Sequence, residues 1–210
     1  MALTVLRDLV FIVMTHDTDA SNTTPEPDSP VDDNISYCDW QSSAGARIEV
    51  SIDRNIWPEV IITEFKHIAP KIFDDILATH DTPPASVSLR LCNDLQMRHV
   101  NSRYRQIDRA TNVLSFPALD MPSHNLDPDA PVLLGDIVIA AETVMREAES
   151  LQIPVADHLM HLFVHGMLHL FGYDHIDNDT AETMELLETR FLVNFGIANP
   201  YQDAQLEVDI

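Results

Sequence analysis

HLMHLFVHGMLHLFGYDH, residues 158–175, holds five of the chain's ten histidines within eighteen positions. Three of them, His165, His169 and His175, follow the spacing H-x3-H-x5-H. The stretch is otherwise apolar and reads as a core helix, so what these imidazoles do there decides the reading of the chain. An α-helix turns by about 100° per residue, which leaves His165 and His169 roughly 40° from eclipsed and one turn apart. Both ring nitrogens can then reach one ion at about 2.0–2.1 Å, the usual zinc–nitrogen distance. Gly172 can adopt a left-handed conformation and end the helix, and the reversal swings His175 back toward the same point. Three nitrogens with an open fourth position mark a catalytic rather than a structural zinc.

Histidines in an apolar helix are more often packed and hydrogen-bonded than metal-bound, and His158 and His161 read that way, behind the ligands or in the packing. A helical triad of His161, His165 and His169 fails on distance. Its outer pair lies about 12 Å apart along the axis and cannot bind one ion.

The chain has 210 residues, 45% of them hydrophobic, which suits one soluble domain plus an extension. Cys38 and Cys92 are far apart, form no metal motif and read as free thiols of a reducing cytoplasm. The net charge of −22 argues against a nucleic-acid partner. Its distribution is uneven, however. Residues 90–109 carry five of the twelve basic residues against two aspartates, a local balance of +3. From residue 120 onward there are seventeen acidic residues against Arg146 and Arg190. A basic window on an acidic protein can bind RNA, although on charge alone a solvated helix face accounts for it slightly better.

Residues 1–46 are rich in Ser, Thr, Asp, Asn and Pro and are expected to be a disordered acidic extension. The apolar run Leu9–Met14 is too short to span a bilayer, and no membrane partner is expected. A domain over 47–201 is expected, with 202–210 as a tail. RIEVSI (47–52), SVSLRLC (86–92), NVLSF (112–116) and LLGDIVIA (133–140) read as strands. Helices follow Pro58 (with Pro70 implying a kink or a break), Asn93 as a cap, residues 141–151, the histidine stretch, and a last helix capped by Asp179 or Thr180 and ended by Gly196. Residues 118–131 read as an exposed loop. The order predicts an α+β fold, a mixed sheet of about four strands packed with helices.

NSRYRQIDRATNVLSFP (101–117) forms a second constellation. A guanidinium at Arg105 suits a phosphate, and Tyr104 can stack on a base. The residue types alone fit Arg105 equally well to a surface ion pair with Asp108.

HGMLHLFGYDH (165–175), N-x2-YR-x2-D-x2-TNVLSFP (101–117) and LLGDIVI (133–139), in that order, resemble the YbeY family of metal-dependent endoribonucleases. The resemblance covers about residues 47–201, including the trailing GIANPY. It implies an α+β fold, one zinc ion on His165, His169 and His175, and a functional arginine at Arg105. It also implies single-stranded RNA as substrate, maturation of the 3′ end of 16S ribosomal RNA and ribosome quality control in the cytoplasm. The implied partners are small-subunit ribosomal proteins and an assembly GTPase.

The ligand spacing is also that of H-E-x-x-H-x-x-G-x-x-H metalloproteases, in which the glutamate is the general base. Gly166 stands at that position, which makes a metallopeptidase the lesser alternative. A zinc-stabilised assembly factor that binds RNA without cutting is the other. Asp174 serves equally well to orient a ligand, to relay a proton or simply to make the turn.

Overall fold

Residues 34–118 and 131–202 are described by a computed structural model. Residues 1–33, most of the expected loop and 203–210 lie outside them. Five strands form one sheet in the order β1-β2-β3-β5-β4: β1 Ile35–Gln41, β2 Arg47–Asp53, β3 Ala85–Cys92, β4 Val113–Pro117 and β5 Val132–Ala140. The outer pairs β1–β2 and β4–β5 are antiparallel, whereas β2–β3 and β3–β5 are parallel. The helices are α1 Glu59–Thr79, α2 Asp94–Arg105, α3 Ala141–Leu151, α4 Val155–Leu170 and α5 Asn178–Asn194.

The mixed α+β architecture is as the sequence predicts, with one more strand. β1 corrects the expected disorder of 35–46: it pairs along its whole length with β2, from Ile35 against Asp53 to Gln41 against Arg47. Its alternation was there to read, since Cys38 and Trp40 face the core while Tyr37, Asp39 and Gln41 are exposed. Two helix details also differ. A single 21-residue α1 passes through the buried Pro70, so the proline does not divide it, and Pro58 is its N-cap. The last helix is capped by Asp177, not by Asp179 or Thr180: the Asp177 side chain accepts from the Thr180 backbone, and the Thr180 side chain answers the Asp177 N–H, a capping box. Asn93 caps α2 as expected, accepting from the Gln96 N–H at 2.7 Å.

Strand alternation divides the core between the two faces of the sheet. Ile48, Val50, Ile52, Val87, Leu89, Leu91, Ile137 and Ile139 share one core with α1 and α4, on which α5 packs, while Leu114, Val138 and Ala140 share another with Met97 and Val100 of α2. α4 runs through the centre, touching β4, β5, α1, α3 and α5. Gly166 lets it lie close to the sheet, because a Cβ there would be 3.0 Å from Ser115 Oγ and 3.1 Å from Ile137 Cγ2.

Gly135 sits at an irregularity between β3 and β5, with φ of +148°. A Cβ at this position would fall 2.3 Å from the Phe116 carbonyl oxygen, which the β4–β5 pairing holds in place. Gly135→Ala is therefore expected to lower the unfolding free energy by about 2 kcal/mol or more in a urea titration. An unchanged midpoint would show that β4 shifts freely.

Candidate metal centre

α4 ends in a Schellman turn. The Tyr173 N–H donates to Leu168 O at 3.1 Å and the Gly172 N–H to His169 O at 3.0 Å, with Gly172 at φ +86°. The Tyr173 hydroxyl lies 3.1 Å from His80 Nε2 at the end of α1, and the His80 ring stacks on Phe171. The Asp174 carboxylate accepts the His175 N–H at 2.7 Å, so its contact is with the backbone of the turn. The reversal brings His175 against the two helical histidines. Nitrogens of His165, His169 and His175 all lie within 4.8 Å of one another, and no other such cluster of three occurs among the described residues.

The donor set fits a cation. His165 Nδ1 is 2.8 Å from Glu188 Oε1, and His169 Nδ1 is 2.9 Å from the Tyr173 carbonyl oxygen. A carbonyl can only accept a hydrogen bond, and so can an ionised carboxylate, so both Nδ1 atoms carry their protons. Both Nε2 atoms are then left with lone pairs, and they face each other at 3.0 Å. Lone pairs at that distance repel unless a proton or a metal ion lies between them. Two nitrogens held about 2.0–2.1 Å from one ion at angles near 90–110° sit roughly 3.0–3.4 Å apart. The exposed His175 brings a third nitrogen within 4.8 Å of these two.

Glu188 is the residue that sequence reading missed. It is 1% exposed, and besides His165 it binds His161 Nε2 at 2.7 Å and the Tyr201 hydroxyl. Burial is the largest single influence and pushes its carboxyl up, but the hydrogen bonds and charges of His161 and His165 together outweigh it and bring it down to about 2. A signal was present. Met184, Glu188, Phe191 and Leu192 are the buried positions of α5, and a charge in such a stripe needs a buried partner. His161 therefore points at Glu188 and not into the triad. His158 binds Glu147 at 2.8 Å, and Glu147 in turn accepts from Asn112 at the start of β4.

Arg105 and the triad line one cavity of about 600 Å³, together with Asn112, Ser115, Tyr173 and Asp174. The ion pair with Asp108 belongs to Arg98 instead, through two hydrogen bonds of 2.7 Å, and no acidic partner is recorded for Arg105 among the described residues. Tyr104 is turned to other use: its ring meets Phe116 edge-to-face at 5.3 Å, and Arg103 lies over it. A second cavity, of about 370 Å³, opens on the other side of His165 and His175, toward Glu185 and Tyr201.

Residues 51–196 match the family described as Endoribonuclease YbeY. The chain belongs to the YbeY family. Its relatives include Endoribonuclease YbeY of Allorhizobium ampelinum, 45% identical over 73% of this chain and 93% of that protein. The Rhizobium meliloti and Bradyrhizobium diazoefficiens proteins of the same name are 44% and 51% identical, over 74% and 59% of this chain and 95% and 67% of their own lengths. A solution structure of TM1509 from Thermotoga maritima aligns with 68% of this chain and 88% of its own at a TM-score of 0.42 and 21% identity.

Burial, helped by the neighbouring His165, lowers the pKa of His169. In this YbeY chain its imidazole thus stays neutral to lower pH than an ordinary histidine does. Metal bound by the triad should survive dialysis at about pH 7 and be released on the acid side of about pH 6, as protons displace the ion. Full metal content at about pH 4 would show that the histidines do not hold it.

Proposed function

We propose that this protein is a zinc-dependent endoribonuclease acting on single-stranded RNA, with maturation of the 3′ end of 16S ribosomal RNA and ribosome quality control as its cellular task. Arg105 on the wall of the cavity that contains the three histidines is the observation that carries the reading. A phosphate bound in that cavity would meet a guanidinium that no carboxylate among the described residues pairs with. One zinc ion on His165, His169 and His175 would supply Lewis-acid activation of water or of a phosphoryl oxygen.

The chain's own residues have separable tasks in this scheme. Glu188 and the Tyr173 carbonyl keep the Nδ1 protons of His165 and His169 in place, which leaves Nε2 of each as the ligand atom. Arg105 binds the scissile phosphate and offsets the charge that grows on its oxygens as the phosphorus is attacked. Asp174 fixes the backbone that carries His175. Cavities on both sides of the triad give a strand room to enter and leave, as cleavage within a chain requires. Ribosomal RNA as substrate implies work in the cytoplasm beside small-subunit proteins and an assembly GTPase. No described helix is long and apolar enough to cross a membrane.

A peptidase of the same ligand spacing needs a glutamate at position 166. Gly166 packs against Ser115 and Ile137, and even a Cβ there would crowd their side chains at 3.0–3.2 Å, so a glutamate requires them to give way.

His169→Ala should lose the bound metal and the cleavage of a single-stranded RNA together. Arg105→Glu should keep the metal and lose about 10²–10³-fold in cleavage rate, as expected when one stabiliser of transition-state charge is removed. Metal-loaded wild-type protein that binds the RNA and leaves it intact on a gel would favour the assembly-factor reading. Hydrolysis of casein would favour a peptidase.

A further inference from the structure

The last helix and the segment after it converge on the back of the triad. α5 closes with a second Schellman turn, in which Ile197 N–H donates to Leu192 O at 3.1 Å and Gly196 N–H to Val193 O at 3.0 Å. The chain then folds back along α5. Ile197 is buried, and Asn199 Oδ1 accepts from Thr189 Oγ1 at 3.0 Å and from the Tyr201 N–H at 2.9 Å. This arrangement delivers the Tyr201 hydroxyl to Glu188 Oε2, which also takes His161 Nε2, while Oε1 of the same carboxylate holds His165 Nδ1.

A carboxylate this deeply buried has no lysine or arginine among its recorded partners. It is held by three donors, two from successive turns of α4 and one from the segment after α5. Two of them fix Oε2, and since a carboxylate is planar, fixing one oxygen fixes where the other points. The ring plane of His165, and so the direction of its Nε2 lone pair, follows.

We infer that Tyr201 is a positioning residue of the metal centre, acting through Glu188 on His165 to set how tightly the centre holds its ion. The inference rests on the triad being a metal site, as proposed above. It makes the segment that follows α5 a working part of that site, although Tyr201 itself lies outside the triad. Positioning residues of this kind typically change metal affinity by 10–100-fold when the hydrogen-bonding group that touches the ligand is lost. Loss of one hydroxyl a step further out should cost less.

The test is a competition titration of the full chain with a chelator, using zinc and then cobalt(II), whose visible absorption reports ligand geometry. Glu188→Gln keeps the shape of the side chain, but its amide cannot accept from all three donors. It should weaken zinc binding by about 10–100-fold and alter the cobalt spectrum. Tyr201→Phe should weaken zinc by about three- to tenfold. Because Tyr201 acts through Glu188, adding Tyr201→Phe to Glu188→Gln should produce little further loss. Wild-type zinc affinity in both single variants would overturn the inference and leave the metal site standing. Losses that multiply in the double variant would show that Tyr201 acts by another route. Failure of the wild-type chain itself to take up zinc would overturn both this inference and the proposed function. Should Glu188→Gln not fold, an unchanged affinity and cobalt spectrum in Tyr201→Phe would by themselves overturn the inference.

Discussion

Two imidazole nitrogens that face each other at 3.0 Å, each with its proton held on the far side of the ring, set the terms for everything around them. The arrangement is costly without a cation, and the fold maintains it from two directions. Glu188 reaches in from α5, and the Tyr173 carbonyl comes from the turn that the helix itself makes on ending. The turn is anchored in its own right by the contact of Tyr173 with His80 at the end of α1. Three helices therefore share the work of keeping one lone-pair contact in place. In coordination chemistry this is preorganisation, and the cost of assembling the ligands is met when the chain folds.

The electrostatics follow a similar division. A chain with a net charge of −22 repels polyanions at long range, so it gains little from steering. What it offers is local. Arg98 takes up Asp108, and the cavity next to the histidines keeps its guanidinium at Arg105. Recognition by such a surface operates only within a few ångströms, which suits a substrate brought near by other contacts.

The elements legible in the sequence were those whose geometry is local. H-x3-H and a following glycine are consequences of helix pitch and backbone freedom, and the structure gathers those three histidines into one cluster. Four strands were legible, RIEVSI and SVSLRLC among them from alternation. The alternation of β1, with Cys38 and Trp40 inward, was outweighed by the adjoining polar stretch, whose composition points to disorder. The cap of α5 was misplaced by two or three positions because Asp177, Asn178, Asp179 and Thr180 all have capping side chains, and the chain's exit from the histidine turn chooses among them. Glu188 as the partner of His165, and Tyr201 as a partner of Glu188, were unreadable, since those pairings exist only after α5 packs on α4. The rivalry between Arg98 and Arg105 for Asp108 was likewise a matter of three-dimensional reach.

The contact of Gly166 with Ser115 and Ile137 has a consequence for what the site can become. Drift toward peptide hydrolysis would require a carboxylate beside the first histidine, and that carboxylate would have to wedge α4 away from β4 and β5. The same movement would strain the contact of His165 with Glu188, which α5 holds in place. The route between the two chemistries thus runs through the seating of one helix, and acquiring that base means repacking Ser115 and Ile137 as well as replacing Gly166.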